Sequence, residues 1–266
     1  MMKIKILYYT LTGNSKTLSE EMESSFSNLA DEIVLLDILE LPSRVDIKHK
    51  IDADIVGIVF PVWGGYAARP MQAFLEKLAK LEFNKEKGIF FISSSQKFPC
   101  DTAWYEAKKF LSSAKGKWRV LYADNVIMPA TQYVKIAPLH LKQDLYKVSE
   151  IIEASKARVE VIYKDIAECK VVINKGKWYL KWLYFTIRVC EGFLLNHSIK
   201  KFVKTLKKRP INPCTLARMC PRGNISCNGG KIKIGKNCIQ CLRCTTFSNL
   251  YDVEVVETGS EESIAK

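Results

Sequence analysis

The 266-residue sequence lacks most of the features that would place it in a class at once. Nowhere do about 18 uncharged apolar residues follow one another, so no membrane-spanning helix is expected. The most apolar stretch, Trp178 to Leu195, is broken by Lys181, Arg188 and Glu191. The first residues, MMKIKILYYT, carry neither the apolar run nor the cleavage site of a secretory signal. The expectation is therefore a cytoplasmic protein, in which clustered cysteines bind metal rather than pair as disulfides. Histidine is scarce and scattered, at positions 49, 140 and 197. No Ser-His-Asp, paired-carboxylate or Cys-His arrangement can be read, and there is no internal repeat.

Acidic residues are scarce in one half only. Residues 1–150 hold 20 Lys/Arg and 18 Asp/Glu, a net of +2; residues 151–266 hold 21 and 10, a net of +11. Six of the nine Cys lie between Cys214 and Cys244. The composition, 48% hydrophobic and 26% charged, is otherwise globular. At roughly 100–200 residues per domain, the chain is one large domain, or an ordinary one with a small one attached. The uneven charge and cysteine favour two units joined by a basic segment.

The first half alternates strands and helices. KIKILYY is a buried strand. Residues 15–29 read as a helix with Leu18, Met22 and Phe26 on one face. EIVLLDI is a second strand, and ADIVGIVFPV is the continuous apolar run of a central parallel strand. A helix is expected over 70–81, with Phe74, Leu75, Leu78 and Leu81 on one side. GIFFISS, a helix over 102–114 and the strand WRVLYADNVI follow. A long helix from about Leu139 carries Leu141, Leu145, Val148 and Ile152 on one face. Such alternation implies an α/β fold: a doubly wound, five-stranded parallel sheet covered by helices on both faces.

Chemistry in such sheets sits in loops at the carboxyl ends of strands. After the first strand stand Thr10, Leu11, Thr12, Gly13, Asn14, Ser15, Lys16 and Thr17. Hydroxyls, a glycine and the free amides of a helix N-terminus converge there, which suits a phosphate monoester. The loop is neither a Walker A motif nor the GxGxxG dinucleotide fingerprint. The alternative is a polar loop that caps the helix with Asn14 or Ser15.

TLTGNSKT in this position resembles the phosphate loop of the flavodoxin family. The resemblance covers about residues 1–165 and implies FMN, with Thr10, Thr12, Gly13, Asn14, Ser15 and Thr17 around its phosphate. It puts a second flavin loop at Pro61, Val62, Trp63, Gly64, Gly65 and Tyr66. There Trp63 and Tyr66 would stack on the ring and the two glycines would let backbone approach it; the alternative is that both aromatics only pack. The third loop would be Ser93, Ser94, Ser95 and Gln96, which lacks a glycine-bearing pattern.

Cys238-Ile-Gln-Cys241-Leu-Arg-Cys244 is a CxxCxxC triplet, and Cys220-Pro221 stands upstream. Three thiolates at this spacing suit three corners of an iron–sulfur cubane. The segment resembles a bacterial two-cluster ferredoxin that has lost ligands. In that family the run CxxCxxCxxxCP occurs twice, and the fourth Cys of each run ligates the other cluster. Here Ser248 and Asn249 stand where the second run would end in Cys-Pro. Pro210, Pro213 and Leu216 occupy the first three cysteine positions of the first run, as if about four residues with two Cys were lost between Cys214 and Cys220. Cys214 would be the remnant of the first ligand. The resemblance then implies one [4Fe–4S] cluster on Cys220, Cys238, Cys241 and Cys244, with Cys227 a bystander. Two short strands, at Ile225 and over 231–234, are expected between Cys220 and Cys238. Four of the six Cys could instead hold zinc, or the module could be metal-free. Cys100, Cys169 and Cys190 read as isolated, buried or semi-buried residues.

Residues 156–209 hold 14 Lys/Arg and 4 Asp/Glu, with many aromatics. They read as a helix packed on the first domain. Docking to an acidic redox partner, or peripheral contact with an anionic membrane, are the functional alternatives. Nucleic acid is not expected as a partner, because no nucleic-acid module accompanies the charge.

The chain as a whole resembles a flavodoxin–ferredoxin fusion. The expected units are a flavodoxin-like FMN domain over 1–168, a basic helical linker over 169–209, a small α+β ferredoxin-like domain over 210–255 and an acidic tail over 256–266. The implied function is electron transfer between the cluster and FMN, and on to a partner protein or small acceptor. The competing readings are an FMN-dependent quinone or nitro reductase with a non-functional cysteine segment, and a zinc-binding interaction protein.

Overall fold

A computed structural model describes residues 2–10, 12–41, 47–63, 65–95, 101–129, 147–175, 182, 185, 186, 213–220, 223–228 and 231–235. The chain divides into two compact units, Met1–Ala130 with Gln143–Glu191, and Thr131–Lys142 with Gly192–Lys266. Leu141, Leu145, most of the basic segment and the acidic tail lie outside the described residues.

In the first unit the elements run β1 (Lys3–Tyr8), α1 (Asn14–Phe26), β2 (Glu32–Asp37), α2 (Ile47–Lys50), β3 (Ile55–Trp63), β4 (Tyr66–Ala67), α3 (Arg69–Leu78), β5 (Lys87–Ser95), α4 (Thr102–Ser113), β6 (Trp118–Ile127), α5 (Val148–Ala167) and β7 (Val172–Ile173). The sheet order is β2-β1-β3-β5-β6-β7, with β4 attached to β3. The pairs along that order are parallel, while β4 folds back antiparallel on β3. The five long strands are those the sequence pattern predicts; β4 and β7 are two-residue additions.

Burial explains the layers. In β3, Val56, Ile58, Val59 and Phe60 are all fully buried, as a strand covered on both faces requires. In β5 the pleat sends Phe90 and Ile92 to one face and Ile89 and Phe91 to the other. The first pair joins Leu18, Met22 and Phe26 of α1 and Val159, Ile162 and Ile166 of α5 in one cluster. On the opposite face Phe91 meets Phe110 of α4 at 5.7 Å between ring centroids. Each fully buried side chain of this size contributes about 1.5–3 kcal/mol.

A polar clamp ties α5 and β7 to β6. Asp124, 2% exposed, accepts hydrogen bonds from Arg158 Nε at 2.8 Å and Asn174 Nδ2 at 2.9 Å. The Tyr122 hydroxyl donates to Asp165 at 3.1 Å and accepts from Arg158 Nη2 at 3.3 Å. Burial, with the carboxylates of Asp124 and Asp165, pushes the phenol well above its ordinary pKa.

In the second unit, α6 (Pro213–Met219) precedes an antiparallel hairpin of β8 (Ile225–Asn228) and β9 (Lys231–Ile234), with Ile225 opposite Ile234. These are the two short strands expected between Cys220 and Cys238. Proline suits the first helical position, where its missing N–H has no acceptor in any case. Two cysteine expectations are corrected. Cys214 and Cys227 form a disulfide with Cα atoms 5.1 Å apart, because α6 lies against β8 at a separation that suits such a bridge. Cys169 is exposed and has φ 56°; it follows the end of α5 in the left-handed conformation that commonly closes a helix. Cys100 and Cys190 lie outside the described residues. Among the described residues, no helix is long and apolar enough to cross a membrane.

Candidate functional site

Three loops meet at the carboxyl ends of β1, β3 and β5. The first is shaped by Thr10 and Gly13. The Thr10 hydroxyl oxygen accepts the Gly13 N–H at 3.0 Å. Gly13 has φ 102° and ψ −31° and stands at the N-cap of α1 with no side-chain cap. A left-handed N-cap explains glycine here, since a side chain is strained at that φ. A Cβ at Gly13 would meet nothing within 4 Å, so the space beside it is open. Neither Asn14 nor Ser15 caps the helix. The Thr17 N–H closes the first turn on Gly13 O at 2.9 Å. The amides of Asn14, Ser15 and Lys16 have no acceptor within the helix, as in any first turn. No acidic residue occupies that turn, so the positive end of the helix dipole is not neutralised locally.

The side chains of the loop hold it in place. Asn14 Nδ2 donates to Pro129 O at 2.7 Å. Ser15 is 1% exposed, and its hydroxyl lies 3.0 Å from that of Ser94. Ser19 Oγ donates to Ser15 O at 2.8 Å. Thr12 is half-buried and Thr17 exposed.

The second loop is the turn from β3 into β4. Val62 pairs with Ala67, and Trp63 with Tyr66. Gly65 has φ 83°, a turn conformation that glycine adopts without strain. The Gly65 carbonyl accepts from Thr102 Oγ1 at 3.1 Å, and the Ala67 N–H donates to Glu106 Oε1 at 3.0 Å. The Tyr66 ring meets Tyr105 edge-on at 5.7 Å. Gly64 and the Trp63 ring lie outside the described part.

The third loop begins where β5 ends. Pro61 sits in register with Ser94. Ser93 Oγ donates to Asn125 Oδ1 at 3.0 Å, and Asn125 Nδ2 donates to Ser95 Oγ at 2.9 Å. Ser93 to Ser95 are all buried, and Gln96 lies outside the described residues. The structure thus brings the described members of the three candidate loops to one end of the sheet. The supporting Thr102, Tyr105, Glu106, Asn125 and Pro129 were not singled out from sequence. Thr102 and Glu106 did carry a signal: polar residues four apart, on the helix face that also carries Ala103, Ala107 and Phe110.

Of the four expected cluster ligands, only Cys220 is described. It is a free, half-buried thiol, and the Asn224 backbone N–H donates to its sulfur at 3.2 Å. Among the described residues, no three His, Cys, Asp or Glu side chains gather as a metal site. Cys238, Cys241 and Cys244 lie outside them.

Strand order 2-1-3-4-5 for the five long strands, with loops gathered at their carboxyl ends, defines a flavodoxin-like doubly wound α/β protein over the first unit. No protein-family model matches the chain, and no curated protein sequence matches it. Among solved structures, a flavodoxin from Fusobacterium nucleatum bound to flavin mononucleotide is similar over 63% of this chain and 98% of its own, at 16% identity and TM-score 0.41. Rubredoxin oxygen:oxidoreductase from Desulfovibrio gigas covers 62% of this chain with 35% of its own, at 16% identity and TM-score 0.41. A flavodoxin from the domain Archaea covers 61% and 99%, at 13% identity and TM-score 0.38. The fold assignment stands on this chain's own strand order.

Proposed function

We propose that the protein is an FMN-linked electron carrier that also holds one [4Fe–4S] cluster and exchanges electrons with a redox partner or small acceptor. The observation that carries the flavin reading is the Gly13 turn: open space beside an uncapped helix N-terminus whose first turn holds no acid. A phosphate dianion suits that combination. In this reading the amides of Asn14, Ser15 and Lys16 and the hydroxyls of Thr12 and Thr17 hold the phosphate. The side chains of Asn14 and Ser15 fasten the loop to Pro129 and Ser94. Trp63 to Tyr66 would hold the flavin ring, and Ser93 to Ser95 would form the third loop beside it.

The cluster reading is supported by the donor set. Soft thiolates in a CxxCxxC run with a fourth Cys upstream suit an iron–sulfur cubane. Cys214 and Cys227 are engaged with each other, which leaves four cysteines in the segment. The Asn224 N–H on Cys220 Sγ would stabilise a thiolate and raise the potential of a cluster bound there. When bound, FMN supplies one- and two-electron redox chemistry and the cluster supplies single electrons. The excess of basic residues in 151–266 favours an acidic partner protein.

Anaerobic purification, followed by flavin, iron and sulfide analysis of wild type and Cys241→Ala, tests this. The expected result is one FMN with about four irons and four sulfides per chain, and a variant that keeps FMN and loses iron. Wild type without flavin overturns the proposal; iron that survives in the variant overturns the ligand set.

A further inference from the structure

The turn between β3 and β4 is held from outside by one face of a single helix. Thr102, Tyr105 and Glu106 stand at i, i+3 and i+4 on α4, so they share that face. Each takes a different part of the turn. Thr102 Oγ1 donates to Gly65 O at 3.1 Å, the Tyr105 ring packs edge-on against Tyr66 at 5.7 Å, and Glu106 Oε1 accepts the Ala67 N–H at 3.0 Å. From α3, Gln72 Nε2 donates to Ala67 O at 2.7 Å. Thr102 is fully buried, Glu106 is 2% exposed and Ala67 1% exposed. A buried polar side chain is costly unless it is hydrogen-bonded, and a two-residue strand has little cohesion of its own. A short turn left to its own residues would be among the first parts of the fold to open. Here three side chains pin it on its covered side.

We propose that Thr102, Tyr105 and Glu106 are positioning residues that fix the Gly65–Ala67 turn in the shape that receives the flavin ring, with Glu106 on the Ala67 amide as the decisive contact. The proposal rests on the flavin reading above. It assigns α4 a part in cofactor affinity although no α4 side chain need touch the cofactor. A ring-side loop that is already ordered costs less to close on its ligand. Glu106→Ala frees the Ala67 amide and lets the turn fray. Glu106→Gln keeps an acceptor of the same shape and restores the turn.

The test pairs two measurements on the full-length protein. The first is hydrogen exchange at the Ala67 amide in FMN-free protein. The second is the FMN dissociation constant from quenching of flavin fluorescence. Glu106→Ala is expected to speed Ala67 exchange and to weaken FMN about tenfold, equivalent to about 1.4 kcal/mol. Glu106→Gln is expected to restore both, and Thr102→Val to give a smaller loss of the same kind. Should Glu106→Ala not fold, the glutamine and valine variants carry the test. Faster exchange with unchanged FMN affinity overturns the positioning role while the flavin reading stands. Unchanged exchange overturns the brace itself. Wild type that binds no FMN overturns the flavin reading and this inference with it.

Discussion

The hydroxyl of Ser15, at the start of α1, lies 3.0 Å from the hydroxyl of Ser94, at the end of β5, across 79 residues of sequence. Both residues are buried, and Ser94 Oγ also lies within donating distance of Phe60 O, at 3.4 Å. The contact fastens the first candidate loop to the third beneath the site. It follows from the pleat: Phe90, Ile92 and Ser94 alternate onto the face that α1 covers. Ser94→Ala removes the contact and leaves a buried hydroxyl on Ser15. The expected loss is about 1–3 kcal/mol in urea unfolding of FMN-free protein. A change within experimental error would show that the two loops are not held together this way.

Gly13→Ala separates backbone strain from steric conflict. A Cβ there has open space, so the cost comes from φ 102° alone. The expected destabilisation is about 1–3 kcal/mol, with weaker FMN binding as the turn relaxes. Asparagine, which tolerates positive φ better than alanine, should cost less than alanine on both readouts. Equal losses for the two variants would mean that the φ value is not the constraint.

The Cys214–Cys227 bridge closes a loop of sequence separation 13. A bridge of this size contributes about 3 kcal/mol by restricting the unfolded chain. Cys227→Ser is expected to lower the unfolding free energy of the second unit by about 2–4 kcal/mol; under the proposed ligand set it leaves the iron content unchanged. Cys214→Ser should match it, and the double variant should lose no more than either. Loss of iron in Cys227→Ser would make that residue a ligand and end the bystander assignment.

Lys87 and Asp52 pair at 2.8 Å at the amino-terminal end of β5, where Lys87 is buried and Asp52 largely exposed. The hydrogen bond from Lys87 holds the Asp52 carboxyl below its ordinary pKa. A lowered carboxylate pKa stabilises the fold above the ordinary carboxylate range, and this contribution disappears as the pH falls through and below that range. Because Asp52 faces solvent, the contribution is under about 1 kcal/mol. Asp52→Asn should lose it at neutral pH and make stability less sensitive to acid in that window. A variant with the wild-type acid profile would show that the pair adds nothing.

The long helices were legible because one periodicity governs each, and the long strands because their apolar runs are nearly unbroken. Leu18, Met22 and Phe26 recur at four-residue steps and enter the core as one stripe, and WRVLYADNVI is a strand over its whole length. The short elements carry no period. The β4 turn exists because Gly65 adopts positive φ and α4 holds its backbone; β7 exists because α5 returns the chain to the edge of β6. The first loop was legible in composition, but its division of labour was not. Asn14 and Ser15 look like phosphate donors in sequence, and only the fold brings Pro129 and Ser94 to their side chains. The partners of Cys214 and Cys227 were hidden for the same reason. Spacing suggested ligand loss, whereas pairing depends on how α6 lies against β8.

The most direct test of the central claim compares FMN with riboflavin on the FMN-free protein by calorimetric titration. The two ligands share the ring and differ in the phosphate. If the Gly13 turn and the α1 amides hold a phosphate, FMN should bind at least about a hundredfold more tightly, equivalent to about 2.7 kcal/mol, and inorganic phosphate should compete with it. Equal affinity for the two flavins, or binding of neither, would contradict the account.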